Sequence, residues 1–269
     1  MAEEMNAPDN HQTVLTFRDV AMTFPGTAVP IRALVGVTFA MEPGEFVAIV
    51  GPSGCGKSTL LAIAAGLRTP SSGDVTLGGD SVVGRPGKVS FMPQRDLLLP
   101  WLRALDNAAL PLELAGTPRR VARARAAETF SHFGLTGFEE HWPAQLSGGM
   151  RQRVALLRTF LIGHSTVLLD EPFGALDALT RAQLHLWVQE VWHPRQRSIL
   201  LVTHDVDEAL FLADRVLVMS SRPGTIVREV TSPFDRPRRV ALFADERFAR
   251  LKADLLDALA REGAEAPQQ

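Results

Sequence analysis

Gly51, Pro52, Ser53, Gly54, Cys55, Gly56, Lys57, Ser58 and Thr59 are consecutive, and together they supply backbone freedom, one cation and several hydroxyls. They fit the pattern G-x-x-x-x-G-K-[ST] in full, between an apolar strand and an apolar helix. Glycines at these positions let the main chain wrap a chain of phosphates. The amides of the loop and of the helix start then point at the anion, and the helix dipole assists them. In that arrangement Lys57 reaches the β- and γ-phosphates, and the Ser58 hydroxyl ligates Mg²⁺. Cys55 is read as a small residue whose main chain matters.

A second constellation lies further on. Val167-Leu-Leu-Asp170-Glu171 is an apolar strand that ends in two carboxylates. Such a strand buries its side chains and projects the acids at its C-terminal edge, where open α/β sheets place their ligands. Asp170 is expected to hold Mg²⁺ through water, and Glu171 to orient or deprotonate an attacking water. Shortly before this strand, Leu146-Ser147-Gly148-Gly149-Met150 puts Ser-Gly-Gly at a helix start. That is a second terminus suited to an anion.

With this third motif in place, the chain resembles the ATP-binding cassette (ABC) ATPases, whose signature usually reads Leu-Ser-Gly-Gly-Gln. Met150 stands where that glutamine is usual, while Ser147, Gly148 and Gly149 match. The resemblance covers roughly residues 14–230 and implies ATP and Mg²⁺ as ligands. It implies that Gln94 touches Mg²⁺ and the attacking water. Asp177, in Ala175-Leu-Asp177, would belong to a loop that crosses a dimer interface. His204, in Val-Thr-His-Asp, would be a switch histidine near the γ-phosphate. Phe24 falls where an aromatic ring meets adenine; Phe17 and Phe39 lie nearby, so these three rings divide between site and core. In the family the signature of one subunit closes on ATP held by another, so two copies would form two composite sites.

The elements that must position these residues can be read from periodicity and turn signals. Strands are predicted over 14–24, 31–40, 45–50, 73–77, 88–92, 166–169, 198–202, 215–219 and 225–230. Helices are predicted over 57–66, 103–114, 119–133, 149–162, 178–192, 205–213 and 245–261. Strands alternating with helices imply a largely parallel sheet covered on both faces. The expected fold is therefore an α/β P-loop core with a mainly parallel sheet, an N-terminal antiparallel β part, and a helical subdomain inserted at about 95–162. Residues 1–12 are expected to be a disordered tail and 13–230 the ATPase domain. Residues 231–269 are expected to form an extension with one helix, fraying from Glu262.

Composition narrows the function further. The formal net charge is −2 over 269 residues, which shows no broad basic footprint for nucleic acid. The lone Cys55 leaves no intrachain disulfide and no multi-cysteine metal site. No window reaches the ~18–20 apolar residues of a membrane span, and the polar, acidic start lacks the pattern of a signal peptide. The chain is expected to lie at the cytoplasmic face of the inner membrane, recruited there by a partner.

Within the family, Met92-Pro-Gln-Arg-Asp-Leu-Leu-Leu-Pro-Trp101, Asp106-Asn107 and Ser221-Arg-Pro-Gly-Thr-Ile-Val227 are similar to importers of the nitrate/sulfonate/taurine type. The Leu-Leu-Pro-Trp stretch is also shared by pyrimidine-precursor importers. That likeness implies integral membrane permease subunits as partners and, indirectly, a solute-binding protein. The competing reading is a soluble ABC-type ATPase, such as one serving cluster assembly. Along the stretch after Gln94, Leu97 and Leu99 are expected in the core of the helical lobe. Leu98, Pro100 and Trp101 are expected to contact the permease.

Overall fold

The computed structural model describes residues 14–26, 29–192 and 197–264. The tail expected over 1–12 and the last five residues lie outside the described set. Three apolar runs form the central strands: β3 (Phe46–Val50), β7 (Thr166–Asp170) and β8 (Ser198–Val202), each buried along its whole length. Strands buried on both faces read as unbroken apolar runs and belong in parallel sheets. The pairings β3–β8, β7–β8 and β3–β9 are indeed parallel, as is β7 with β6 (Ser90–Met92). With β9 (Arg215–Met219) and β10 (Ile226–Thr231), they form a six-stranded sheet in the order β10-β9-β3-β8-β7-β6. Only the β9–β10 edge pairing is antiparallel.

A second, antiparallel sheet has the order β2-β1-β4-β5. It comprises β1 (Leu15–Phe24), β2 (Ile31–Met41), β4 (Ser72–Leu77) and the two-residue β5 (Asp80–Ser81), which sequence periodicity does not reveal. Between the two sheets lies α1 (Lys57–Ala64), which buries Leu60, Leu61, Ile63 and Ala64 in one apolar cluster with Phe17, Val47, Ile49 and Leu200. A separate cluster fills the opposite face of the parallel sheet. It joins Phe46, Ala48, Val167 and Leu201 to α2 (Ala104–Leu114), α3 (Arg119–Phe130) and α4 (Gly148–Leu161). It also reaches α5 (Ala178–Trp192), α6 (Val206–Leu212) and α7 (Glu246–Ala264). The last helix runs through Glu262, where fraying was expected, and 131–133 is a 3-10 turn rather than the end of α3.

The segment between β6 and α2 departs from expectation in a way that matters for docking. Leu97 is 56% exposed, at φ +46°, while Leu98 is buried against the lobe. The cause is Asn107, fully buried in α2. Its Oδ1 accepts from the Leu99 amide at 2.8 Å, and its Nδ2 donates to the carbonyls of Leu99, Leu102 and Arg103 at 3.0–3.2 Å. These bonds hold the loop in one shape and turn Leu97, Pro100 and Trp101 outward; Trp101 is 68% exposed.

Candidate functional site

The phosphate loop connects β3 to α1, and its backbone depends on glycine. Gly56 caps α1 with φ +111°, and a Cβ there would lie 2.6 Å from Leu34 Cδ2 and 2.9 Å from the Ala33 carbonyl oxygen. Only a residue without Cβ adopts that conformation against such neighbours. Lys57 is almost buried, and its ammonium donates to the carbonyls of Gly51 (2.7 Å) and Pro52 (2.8 Å). The cation is thus already aimed across the loop it would share with phosphates. Cys55 is buried.

At the ends of β7 and β8 the polar residues converge. Asp170 is 3% exposed, and burial pushes its carboxyl above the usual 3.8. The charge of Glu171 pushes the same way, while a hydrogen bond with Ser58 and the charge of Lys57 oppose the rise. Its Oδ1 is buried with no hydrogen-bond partner. A buried carboxylate oxygen beside a serine hydroxyl, both at the mouth of a phosphate loop, suits a hard cation that takes its remaining ligands from water and phosphate. Among the described residues no three His, Cys, Asp or Glu side chains cluster as a metal site.

Glu171 follows at φ +48°, a strained conformation for a residue with a Cβ. Its amide donates to the Val202 carbonyl at 2.8 Å, and its own carbonyl accepts from Gln152 at 3.3 Å, so the strain is held from both sides. Strain held in this way tends to mark a functional residue. The carboxylate accepts from Gln94 Nε2 at 3.1 Å and lies 3.4 Å from His204 Nδ1. An acceptor so oriented, with one amide and one imidazole on it, can receive a proton from water.

A cavity of about 440 Å³ joins the phosphate loop to Gln94 and Glu171. Phe24, Ser53, Gly54, Gly56, Lys57, Ser58, Thr59, Gln94 and Glu171 line it, together with Ile31, Ala33 and Arg222. Sequence reasoning did not assign the last three. Arg222 donates to the Gly54 carbonyl through Nε (3.2 Å) and Nη2 (3.1 Å), bracing the loop from the β9–β10 turn. The 221–227 stretch marks kinship in the sequence, but the reach of Arg222 to Gly54 depends on the fold. Phe24 faces the cavity under the Arg68 guanidinium, 5.0 Å from the ring centre. Phe17 and Phe39 stack on each other at 4.3 Å, both buried in the core.

The signature is elsewhere. Ser147 caps α4, its hydroxyl accepting from the Met150 amide at 3.2 Å, and it is exposed together with Gly148. Neither they nor Gly149 line the cavity. Gly149 packs against the loop of Asp177, since a Cβ there would stand 3.2 Å from the Ala175 carbonyl oxygen. Asp177 is exposed and accepts from the Thr180 amide at 3.0 Å, which holds its carboxyl below the usual value. One chain therefore presents two separated surfaces, a phosphate cavity and a capped helix start.

A P-loop fold carrying both surfaces defines an ATP-binding cassette, and comparison with known proteins agrees. The chain belongs to the ABC transporter family, whose model matches residues 34–174. It is 42% identical over 247 residues to the taurine import ATP-binding protein TauB of Chromobacterium violaceum, covering 90% of this chain and 94% of that one. The nitrate import ATP-binding protein NrtD of Synechococcus elongatus is also 42% identical, over 254 residues and 92% of each chain. So is the formylaminopyrimidine import ATP-binding protein ThiZ of Halalkalibacterium halodurans, over 227 residues, 84% of this chain and 88% of that one. Among solved structures, the ATP-binding cassette MJ0796, as a post-hydrolysis dimer bound to ADP and Pi, superposes with a TM-score of 0.75 at 30% identity. That match covers 82% of this chain and all of the other.

Proposed function

We propose that this chain is the ATP-hydrolysing subunit of an importer for a small solute, acting as a pair at the cytoplasmic face of a membrane. The observation that carries this reading is the convergence of Lys57, Ser58, Gln94 and Glu171 on one cavity, with Asp170 hydrogen-bonded to Ser58, while the exposed Ser147 lies outside its lining. In this reading Lys57 releases its loop carbonyls to hold the β- and γ-phosphates, and Phe24 lies along the adenine. Glu171 takes the proton of the attacking water. Gln94 and His204 hold that carboxylate in line, each within 3.4 Å of it. Ser58, Gln94 and Asp170 are the residues that would hold Mg²⁺. When bound, the ion neutralises charge developing on the phosphates. The exposed Ser147 and Gly148, with Gly149 beside them, serve the nucleotide of the other copy, with Asp177 at the seam between the two.

The partners follow from the relatives, which are named as import subunits. They would be two permease subunits in the membrane and, beyond them, a solute-binding protein. Among the described residues no helix is long and apolar enough to cross a membrane, so attachment would run through the permease. Leu97, Pro100 and Trp101 form the apolar surface offered to it; Leu98, also expected there, is buried instead. By kinship the solute is a small anion or heteroaromatic compound of the taurine, nitrate or formylaminopyrimidine kind. The test is co-purification with candidate permeases from the same genome, followed by uptake of labelled taurine, nitrate and formylaminopyrimidine into vesicles loaded with ATP. ATP-dependent accumulation of one of them supports the reading. An active ATPase that binds no permease would favour the soluble class.

A further inference from the structure

Helix α6 begins two residues after His204, and the chain returns to grip its far end. Its C-terminal carbonyls, from Leu210 to Ala213, are the kind a helix leaves without internal partners. Two arginines from the segment after β10 take all four. Arg238, with its side chain 1% exposed, donates to the carbonyls of Leu210 (3.1 Å), Phe211 (3.2 Å) and Ala213 (2.7 Å). Arg236 donates to the Leu212 carbonyl and forms an ion pair with Asp214 at 2.8 Å. Gln189 of α5 clasps the Arg238 main chain on both sides, accepting its amide at 3.1 Å and donating to its carbonyl at 3.2 Å. Asp214 in turn accepts the amide of Phe46 at 3.0 Å, at the start of the strand that leads to the phosphate loop.

The grip continues into the last helix. Lys252 of α7 pairs with Asp207 at 2.6 Å on the first turn of α6, and Phe243 stacks on Phe211 at 5.0 Å. At that same N-terminal end, Asp205 caps α6 by accepting the amides of Asp207 (2.9 Å) and Glu208 (3.2 Å), and Arg181 of α5 pairs with Asp205 at 3.3 Å. Two neighbouring buried cations are costly to place. Burial and the charge of Arg236 pull Arg238 down to about 10, so it still carries its charge at neutral pH. Fork-shaped guanidiniums suit this task because each can meet several carbonyls at fixed angles. Cations at a helix C-terminus also favour its dipole.

We propose that Arg236 and Arg238 are positioning residues for hydrolysis, fixing α6 so that His204 meets the Glu171 carboxylate, which makes the C-terminal extension a working part of the ATP site. This rests on the reading of His204 as a group that acts on ATP. The experiment is a double-mutant cycle measured by single-turnover hydrolysis of Mg·ATP in the full-length chain. Arg238→Lys keeps the charge but loses the fork, and should lower the hydrolysis rate about tenfold while ATP affinity changes less than about threefold. In a His204→Ala background the same substitution should lower it less than about twofold further, because the residue it acts through is already gone. Equal losses in both backgrounds would overturn the proposal and leave the reading of His204 standing. A His204→Ala variant as fast as wild type would overturn both. If Arg238→Lys does not fold, Arg236→Lys gives the same cycle. Failure of both to fold would assign the arginines to the core alone and overturn the proposal.

Discussion

At the scale of single residues, the carboxylates at the end of β7 make separable predictions. Glu171→Gln keeps the shape and loses the base, so hydrolysis should fall about 10²- to 10⁴-fold while ATP binding persists. The variant should then run as a dimer in gel filtration with ATP. Near-normal hydrolysis would remove Glu171 from the role of base. Asp170 makes a prediction about pH. Its folded carboxyl is raised by burial, so the stability it contributes is full below 3.8 and is lost as pH climbs through the raised value. Asp170→Asn stays neutral and does not suffer that loss. In nucleotide-free protein the melting temperature of the variant should exceed that of wild type by a margin that grows as pH rises from 3.8 through the raised value. Its ATPase rate should nevertheless fall sharply. A margin independent of pH would show that the carboxyl is not desolvated as described. Residue identities of this kind were legible in the sequence because loop, acid pair and signature are local patterns. The places of Ile31, Ala33 and Arg222 at the cavity were not, since they depend on the β9–β10 turn meeting β2, where the Gly224 amide donates to the Ala33 carbonyl at 2.9 Å.

At the scale of elements, the segment from Gln94 to Leu102 shows where sequence reading stops. Composition marked it as apolar, yet which leucine turns inward depends on Asn107, several residues away and on a helix. Arg158 of α4 adds bonds to the carbonyls of Asp96 (2.7 Å) and Leu97 (2.9 Å), and Arg151 pairs with Asp96 at 3.1 Å. The helix that starts with the signature therefore holds the exposed Trp101 loop. Trp101→Ala removes a large exposed side chain without opening the core. The isolated subunit should keep its melting temperature within about 2 °C and its basal ATPase, while uptake by the assembled complex should fall at least about tenfold, as for an interface anchor. Unchanged uptake would place the docking surface elsewhere. The strand and helix spans were otherwise read closely, to within a few residues, because buried parallel strands and capped helices announce themselves. The grip of the C-terminal segment did not, since a run rich in arginine and proline reads as a solvated tail until its carbonyl partners are known.

At the scale of the whole molecule, the separation of signature from phosphate cavity predicts action between chains. A Lys57→Ala subunit and a Ser147→Arg subunit should each be inactive as homodimers. Mixed, they form a dimer in which one composite site carries both lesions and the other carries neither. Activity approaching half that of wild type should return in that species, whatever its share of the mixture. Mixed dimers as inactive as their parents would put signature and loop of the same chain on one nucleotide.

The parallel sheet has a further consequence. Its strands alternate side chains between faces, so neighbours in the chain belong to different apolar clusters: Phe46 packs with the helices and Val47 with the antiparallel sheet. Each nevertheless shares its cluster with a residue far away, Phe46 with Ile199 and Val47 with Leu200, its partners on β8. The sheet thus stands as a wall five residues tall between two separately packed interiors. Truncations at Val47 and Leu200 should be strongly non-additive, by about 0.5–3 kcal/mol as for residues in contact. Truncations at Phe46 and Val47, joined by a peptide bond, should come close to simple addition.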